Sequence, residues 1–186
     1  MATCQAFVDQ LIQARGLIVN IASLSAISPY VFGSVYCATK GAVVSYSRTL
    51  RLELQPFGVR VTVAMAGTVR SNTANHGHRS LPPGSLYERV RDIFQWRLTY
   101  SQTNATMPTD VFARHLVAAT LRREVPSILR RWFGRPDYFY DGGMAFQVWL
   151  GHSLGEWLVD LVAYRRFGMN KLEAILRQEA AQKKLA

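Results

Sequence analysis

Tyr36 and Lys40 stand four positions apart in a segment, residues 34–55, whose pattern predicts a long helix closed by Pro56 and Gly58. Residues at this spacing project from one helical face, one turn apart. An ammonium group held beside a phenol favours the phenolate, which makes the phenol a usable general acid or base. The pair alone is weak support for catalysis, because an ordinary surface helix contains such a pair by chance.

The segments around this pair make its support for catalysis more specific. Two apolar segments, 17–22 and 60–66, flank the predicted helix and are typical of buried strands. Two such strands joined by a helix form a parallel crossover unit, whose ligands bind beyond the carboxyl ends of the strands. Ser23 follows the first strand, and Gly67 opens the loop after the second. We therefore expect both residues and the Tyr-Lys pair to meet in one crevice.

The remaining segments predict further helices and one more strand. A helix over residues 2–15 ends at Gly16, and residues 23–33 form a loop rich in serine, glycine and proline. The other predicted elements are a helix from about Ser85, a helix opened by Pro108, Thr109 and Asp110, a short strand near Ser127 to Arg131, an apolar region from Tyr140 to Tyr164 and a polar helix from about Asn170. The pattern as a whole predicts an α/β fold.

Length and composition indicate a packed globular chain. Its 186 residues are 49% hydrophobic and 18% charged, which argues against disorder. Cys4 and Cys37 make neither a disulfide framework nor a metal set, so we expect a reducing compartment and no bound metal. Asp9 interrupts the first residues where a secretory signal needs an apolar run, and we expect no export.

The chain is basic, with 22 lysines and arginines against 12 acidic residues and a formal net charge of +10. Such a balance suits an anionic ligand, a membrane face or nucleic acid. Aromatic and basic residues do not alternate on a predicted sheet face, and no helix-turn-helix or zinc-ligand spacing occurs. We therefore expect no nucleic-acid partner.

Three segments resemble the short-chain dehydrogenase/reductase family. They are Gly-Leu-Ile-Val-Asn-Ile-Ala-Ser at 16–23, Tyr-Cys-Ala-Thr-Lys-Gly-Ala at 36–42 and Leu-Arg-Leu-Glu-Leu-Gln-Pro-Phe-Gly-Val-Arg-Val at 50–61. The likeness runs over residues 5–71. It implies the C-terminal portion of a Rossmann-type doubly wound parallel sheet over residues 1–135, followed by an apolar helical extension over residues 136–186.

The resemblance also implies a role for each residue of the predicted catalytic triad. Ser23 would hydrogen-bond the carbonyl oxygen of the substrate, and Tyr36 would give that oxygen a proton. Lys40 would bind the ribose hydroxyls of NADPH and favour the Tyr36 phenolate. Tyr36 and Lys40 are therefore expected to be both catalytic and cofactor-binding.

The cofactor site implied by the resemblance is partial. Gly67, Val69 and Ser71 would contact the nicotinamide carboxamide, in a loop that lacks the family's usual proline. The Gly-x-x-x-Gly-x-Gly turn that takes the pyrophosphate in this family, and a later Asn-Asn-Ala-Gly segment, are not found in the sequence. Asn20 is too close to Ser23 to be the family's catalytic asparagine. We therefore expect a chain without the N-terminal cofactor-binding part, from a truncated gene model, an alternative product or a decayed copy.

A narrower likeness indicates a class of substrate. Phe32-Gly33-Ser34, Met107-Pro108 and the apolar C-terminal region are similar to fungal NADPH-dependent 1-acyldihydroxyacetone-phosphate reductases, which lie on the endoplasmic reticulum and lipid droplets. Neighbouring branches act on steroids or secondary metabolites. The resemblance implies reduction of a small-molecule ketone, lipid-like or from secondary metabolism, to a secondary alcohol, and it allows a homo-oligomer. The alternative is a non-catalytic remnant that acts only by association with a full-length relative.

The apolar C-terminal region leaves two interpretations open. His152, Glu156 and Asp160 recur at helical spacing and interrupt the apolar run, which argues against a transmembrane span. A helix in this region either lies in a membrane interface, flanked by Arg165 and Arg166, or covers the protein's own core or a dimer partner.

Overall fold

The computed structural model describes residues 1–72, 79–104, 106–123, 125–129 and 133–185. Within them the chain forms a sheet of three strands in the order β1 (Leu17–Ile21), β2 (Arg60–Ala66) and β3 (Tyr138–Asp141). Both neighbouring pairs are parallel, which confirms the predicted α/β class. The helices are α1 (Ala2–Ala6), α2 (Val8–Gln13), α3 (Ser34–Leu54), α4 (Arg91–Thr103), α5 (Thr109–Thr120), α6 (Ala145–Leu154), α7 (Glu156–Arg166) and α8 (Met169–Leu185).

The central strand, β2, is the most deeply buried part of the fold. Its residues from Val61 to Met65 are at most 2% exposed, as a parallel strand covered on both faces should be. Thr62 is the polar residue in this run, and its Oγ1 donates a hydrogen bond of 2.9 Å to the carbonyl oxygen of Pro136. The bond satisfies a hydroxyl that would otherwise be costly to bury.

Two core clusters of described residues lie along β2. The cluster at the start of the strand holds α1, α2 and the end of α3 against the sheet, and its buried members are Ile18, Leu54, Val59 and Val61. The cluster at the end of the strand lies where the loops leave the sheet, and its buried members are Ala22, Leu24, Val63, Met65 and Ala145. The second cluster therefore supports the sheet edge at which ligands are expected.

Helix α3 follows the prediction closely. Pro56 and Gly58 end it through a short 3-10 turn, and Gly58 takes the left-handed conformation with φ of +74°. The Asn20 side chain in β1 donates a hydrogen bond of 2.8 Å to Oγ of Ser47, which is fully buried in α3. This bond fixes the helix on the strand that precedes it.

The predicted third strand is wrong in position. Ser127–Leu129 form a 3-10 turn in which Ile128 is 83% exposed, and residues 130–132 lie outside the described part of the chain. The strand is β3 instead, because Tyr138 and Tyr140 pack against the core cluster at the end of β2. The sheet therefore reaches past residue 135, into the region expected to form the helical extension.

Two other boundaries differ from the prediction. Residues 2–15 form two short helices with a break at Phe7, and the helix expected from Ser85 begins at Arg91, after a 3-10 turn. The apolar C-terminal region also divides, because Gly155 separates α6 from α7 with φ of +143°. None of the helices in the described ranges combines the length and apolar character needed to cross a membrane.

Arg51 joins α3 to β2 and to the residue that precedes β3. Its Nε donates to the carbonyl oxygen of Val61 in β2, and its Nη2 donates to that of Asp137, next to β3, both at 2.8 Å. Its guanidinium lies 4.9 Å from the centre of the Tyr138 ring. Since these bonds are largely shielded from water, they should contribute more than a surface pair does.

We expect Arg51→Met to lower the free energy of unfolding by about 1–3 kcal/mol, because two backbone carbonyl oxygens that are partly shielded from water lose a charged donor. Urea unfolding followed by circular dichroism measures this change. Arg48→Met is the matched control, since Arg48 is exposed on the same helix and its replacement should cost less than about 0.5 kcal/mol. Equal losses in the two variants would contradict the role given to Arg51.

Candidate active site

Ser23 lies at the carboxyl end of β1. The backbone there continues the strand pairing, since the Ala22 N–H donates to the carbonyl oxygen of Ala64 at 2.8 Å. Ser23 itself is extended, and its Oγ accepts hydrogen bonds from the backbone N–H of Ser25 at 3.3 Å and from the Ser25 hydroxyl at 2.9 Å. The turn that follows the strand thus holds the Ser23 hydroxyl in place.

Tyr36 and Lys40 lie in the first two turns of α3, as the spacing predicts. The Lys40 Nζ is 5.8 Å from the centre of the Tyr36 ring and donates a hydrogen bond of 3.2 Å to the carbonyl oxygen of Ile21, the last residue of β1. The ammonium therefore joins the start of α3 to the strand end that precedes Ser23. Tyr36 is 43% exposed, so its ring remains accessible.

The loop after β2 is held by both of its neighbours. The Gly67 N–H donates to the carbonyl oxygen of Asp141 at 2.8 Å, and a Cβ at Gly67 would stand 2.2 Å from the carbonyl oxygen of Gly143. Only glycine fits such a close backbone approach. Farther along, the Gln102 side chain donates to the carbonyl oxygen of Val69 at 3.3 Å and accepts from the Ser71 N–H at 2.9 Å.

All six predicted site residues line one cavity of about 1110 Å³. Those residues are Ser23, Tyr36, Lys40, Gly67, Val69 and Ser71. The structure therefore brings together the three elements that the sequence predicts to converge, while the chemical role of each residue stays a prediction. Asn20 is not among the lining residues.

The sequence pattern does not indicate the other residues that line this cavity. Helices α6 and α7 supply apolar side chains, including Phe146, Leu154 and Val162, and α4 supplies Arg97 and Gln102. No motif or spacing marks these residues, because they reach the cavity only through the packing of helices that are distant in the chain.

Tyr30, which is half-buried, and Arg97, which is buried, form a pair in the cavity lining. The Tyr30 hydroxyl donates a hydrogen bond of 3.0 Å to the carbonyl oxygen of Arg97, and the Arg97 guanidinium carbon lies 3.9 Å from the centre of the Tyr30 ring. Burial raises the pKa of Tyr30, and the positive charge of Arg97 acts in the opposite direction. Tyr30 therefore remains a neutral phenol and serves Arg97 as a cation–π partner.

The known proteins that this chain resembles are short-chain dehydrogenases and reductases. Residues 1–80 match the family model described as short chain dehydrogenase. The chain is 39% identical to short-chain dehydrogenase fogD of Aspergillus ruber over 129 residues, which are 69% of this chain and 44% of that protein. It is 32% identical to the NADPH-dependent 1-acyldihydroxyacetone phosphate reductase of Saccharomyces cerevisiae over 183 residues, which are 97% of this chain and 58% of that protein. The chain thus spans about half the length of the curated relatives it matches.

A solved structure shares the fold. The crystal structure of a short-chain dehydrogenase from Streptomyces avermitilis matches with a TM-score of 0.61 and 20% sequence identity, over 90% of this chain and 57% of that one. At this identity the likeness concerns the fold alone. It agrees with the three parallel strands and surrounding helices described above.

We expect Gly67→Ala to destabilise the protein by about 1–3 kcal/mol, because the new Cβ forces the loop and the Gly143 backbone apart. The measurement is urea unfolding of the variant beside Gly41→Ala. Gly41 lies inside α3 with no neighbouring atom within 4 Å of a Cβ placed there, so its replacement should stabilise by about 0.5–1 kcal/mol. A Gly67→Ala protein as stable as the wild type would show that the two backbones are not in close contact.

Proposed function

The chain belongs to the short-chain dehydrogenase family, and from that premise we propose that it catalyses the NADPH-dependent reduction of a ketone to a secondary alcohol. The observation that carries this proposal is that Ser23, Tyr36 and Lys40 line the same cavity. A hydroxyl, a phenol and an ammonium in one cavity supply the hydrogen bond, the proton and the positive charge that a carbonyl oxygen needs as it becomes an alcohol.

Ser23 orients the carbonyl group in this mechanism. Both of its hydrogen bonds with Ser25 are accepted by the Ser23 oxygen, and a hydroxyl has one proton of its own to donate. That proton is left for the substrate oxygen. Tyr36 then gives its phenolic proton to the same oxygen as negative charge develops there. Lys40 stabilises the phenolate that remains, since its ammonium lies beside the ring.

The nicotinamide end of the cofactor suits the residues of this cavity. The Lys40 ammonium has three protons, and the hydrogen bond to Ile21 uses one of them, so donors remain for the ribose hydroxyls. Gly67, Val69 and Ser71 line the same cavity as Lys40, and their loop would lie against the carboxamide. A bound nicotinamide supplies the hydride that no side chain can supply. The choice of NADPH is supported by the name of the yeast relative.

The proposed substrate is a ketone with a large apolar part. Support comes from the apolar side chains that α6 and α7 contribute to the cavity, and from the relative named for its reduction of 1-acyldihydroxyacetone phosphate. We therefore propose either a lipid-like acyl-dihydroxyacetone phosphate or a carbonyl compound of secondary metabolism. Turnover of the purified chain with NADPH, measured for each ketone in turn, distinguishes the two substrates.

We also propose that the chain acts at the cytoplasmic surface of the endoplasmic reticulum or of lipid droplets. Helix α7 leaves Trp157 67% exposed and Leu161 40% exposed, and Arg165 lies in its last turn. Exposed apolar groups beside cations are typical of a helix that lies in a membrane interface.

This membrane proposal predicts that the chain floats with liposomes containing anionic phospholipid. Trp157→Ser should weaken partitioning roughly tenfold, because the interface loses a large apolar side chain. Leu52→Ser is the control, since Leu52 is equally exposed on α3, far in the chain from the proposed contact. A wild-type chain that stays at the bottom of the gradient would end the membrane proposal, and the helix would then be a candidate for contact with a second copy.

A second candidate function is association without catalysis. Among the described residues β1 pairs with β2 alone, and Ile21 at its end is 49% exposed. An unpaired strand edge is a template for another chain. The chain would then act by binding a full-length relative. Two measurements separate the two functions. Size-exclusion chromatography with and without that relative tests for association, and turnover measured for the chain alone tests for catalysis.

The reductase proposal predicts that Tyr36→Phe lowers ketone turnover by about 10²–10⁴-fold, because the proton donor is lost. NADPH binding, followed by nicotinamide fluorescence, should persist in this variant. Tyr46→Phe is the control, since Tyr46 lies on the same helix and interacts with Cys4 rather than with the cavity. Undiminished turnover in Tyr36→Phe would remove Tyr36 from the mechanism.

A further inference from the structure

The cavity that holds the candidate catalytic residues is positively charged. Its described lining residues include four with basic side chains and none with a carboxylate; the four are Lys40, Arg79, Arg97 and Arg166. Like charges gathered without a counter-ion raise the energy of the folded protein, so their presence calls for a partner of opposite charge.

Arg97 is the most unusual member of this group. It is 7% exposed, and its buried Nε has no hydrogen-bond partner. A buried charge normally requires pairing and hydrogen bonds, because removing it from water is costly. Arg51, which is also largely buried, meets this requirement with two backbone carbonyl oxygens and the nearby Asp137 carboxylate. Arg97 has the face of the Tyr30 ring instead.

The position of Arg97 is fixed close to the start of α3. A Cβ at Gly33 would stand 2.1 Å from its Nη2, so the guanidinium packs directly against the Gly33 backbone. Tyr36 lies three residues farther along and within electrostatic range, as does Arg79. Burial lowers the pKa of Arg97, and the charge of Arg79 acts in the same direction, but an arginine stays protonated in proteins. A permanent cation is therefore held near the proposed proton donor.

Other parts of the cavity lining are apolar. They include Phe146, Leu154 and Leu158 of the α6–α7 pair, together with Val162 and Phe167. An occupant that satisfies both the cationic and the apolar parts of the lining has an anionic group and an apolar body. Neutral lipids would leave the buried guanidinium unpaired, and hydrophilic anions would leave the apolar wall in contact with water.

We propose that Arg97, together with Arg79, binds an anionic oxygen group of the substrate, a phosphate or a carboxylate, and thereby sets the distance between that group and the carbonyl reduced at Tyr36. The inference rests on the proposed reductase function, because it assigns the occupant of the same cavity. It makes Arg97 a specificity-determining residue. The planar guanidinium suits such a group, since it can donate two parallel hydrogen bonds to two oxygens.

The test uses decyl phosphate and decanol as probes, each titrated calorimetrically into the 186-residue chain without NADPH. Arg97→Met should weaken the binding of decyl phosphate at least about tenfold, the effect of losing a charged hydrogen-bond donor, and leave the binding of decanol unchanged. Arg91→Met is the matched control. Arg91 is exposed on the same helix and pairs with Glu88, so its loss should change neither titration.

Two further measurements separate this role from others. Arg97→Met should melt at the same temperature as the wild type or higher, because it removes an unpaired buried charge; a lower melting temperature would make Arg97 structural and overturn the proposal. NADPH affinity should be unchanged, and a drop confined to NADPH would assign the guanidinium to a cofactor phosphate and overturn it as well. Decyl phosphate binding that Arg97→Met leaves unchanged would also overturn the proposal.

Failure of the reductase function would look different. None of these readouts depends on turnover, so a chain that reduces no ketone but loses decyl phosphate binding in Arg97→Met would keep the anion site and lose the proposed reaction. A chain that reduces neutral and anionic ketones equally well in both the wild type and Arg97→Met would keep the reaction and lose the anion site.

Discussion

The parallel pairing of β1 with β2 is the constraint on which the site depends. Parallel strands joined by a helix end at the same edge of the sheet, so Ser23 and Gly67 leave the sheet side by side. Helix α3 must cross back between the two strands, which brings Tyr36 and Lys40 to that edge. The hydrogen bond from Lys40 to Ile21 then joins the helix to the strand end. Without this strand pairing, Ser23, Gly67 and the Tyr36–Lys40 pair would not meet at one edge of the sheet.

Arg51, which is largely buried, and Arg97, which is buried, show how stability and binding make opposite demands on one kind of side chain. Arg51 lies in the core region, where backbone carbonyl oxygens satisfy its donors and the guanidinium holds α3 to the sheet. Arg97 lies at the cavity, where its Nε has no partner. A protein keeps an unsatisfied buried charge at a cost in stability, and such costs concentrate at functional sites. The contrast within one chain is the reason to regard Arg97 as part of a binding site.

The sequence by itself determined the local elements and the part of the site that they carry. Apolar runs, a helical spacing and glycine or proline at the boundaries predict α3 and β2 nearly to the residue, because these signals act between residues close in the chain. The convergence of Ser23, Tyr36, Lys40 and Gly67 on one crevice follows from the same pattern, since a parallel crossover has few possible geometries.

Only the tertiary structure decided which segment completes the sheet and what closes the cavity. The sequence pattern places the last strand near residues 127–131, but β3 forms at Tyr138–Asp141 because its tyrosines pack against the core at the end of β2. Arg97 and Gln102 of α4 face the same cavity as the apolar residues of α6 and α7, although no spacing relates them. Such contacts join residues far apart in the chain, and their free energy depends on the burial of whole surfaces, which a local pattern does not contain.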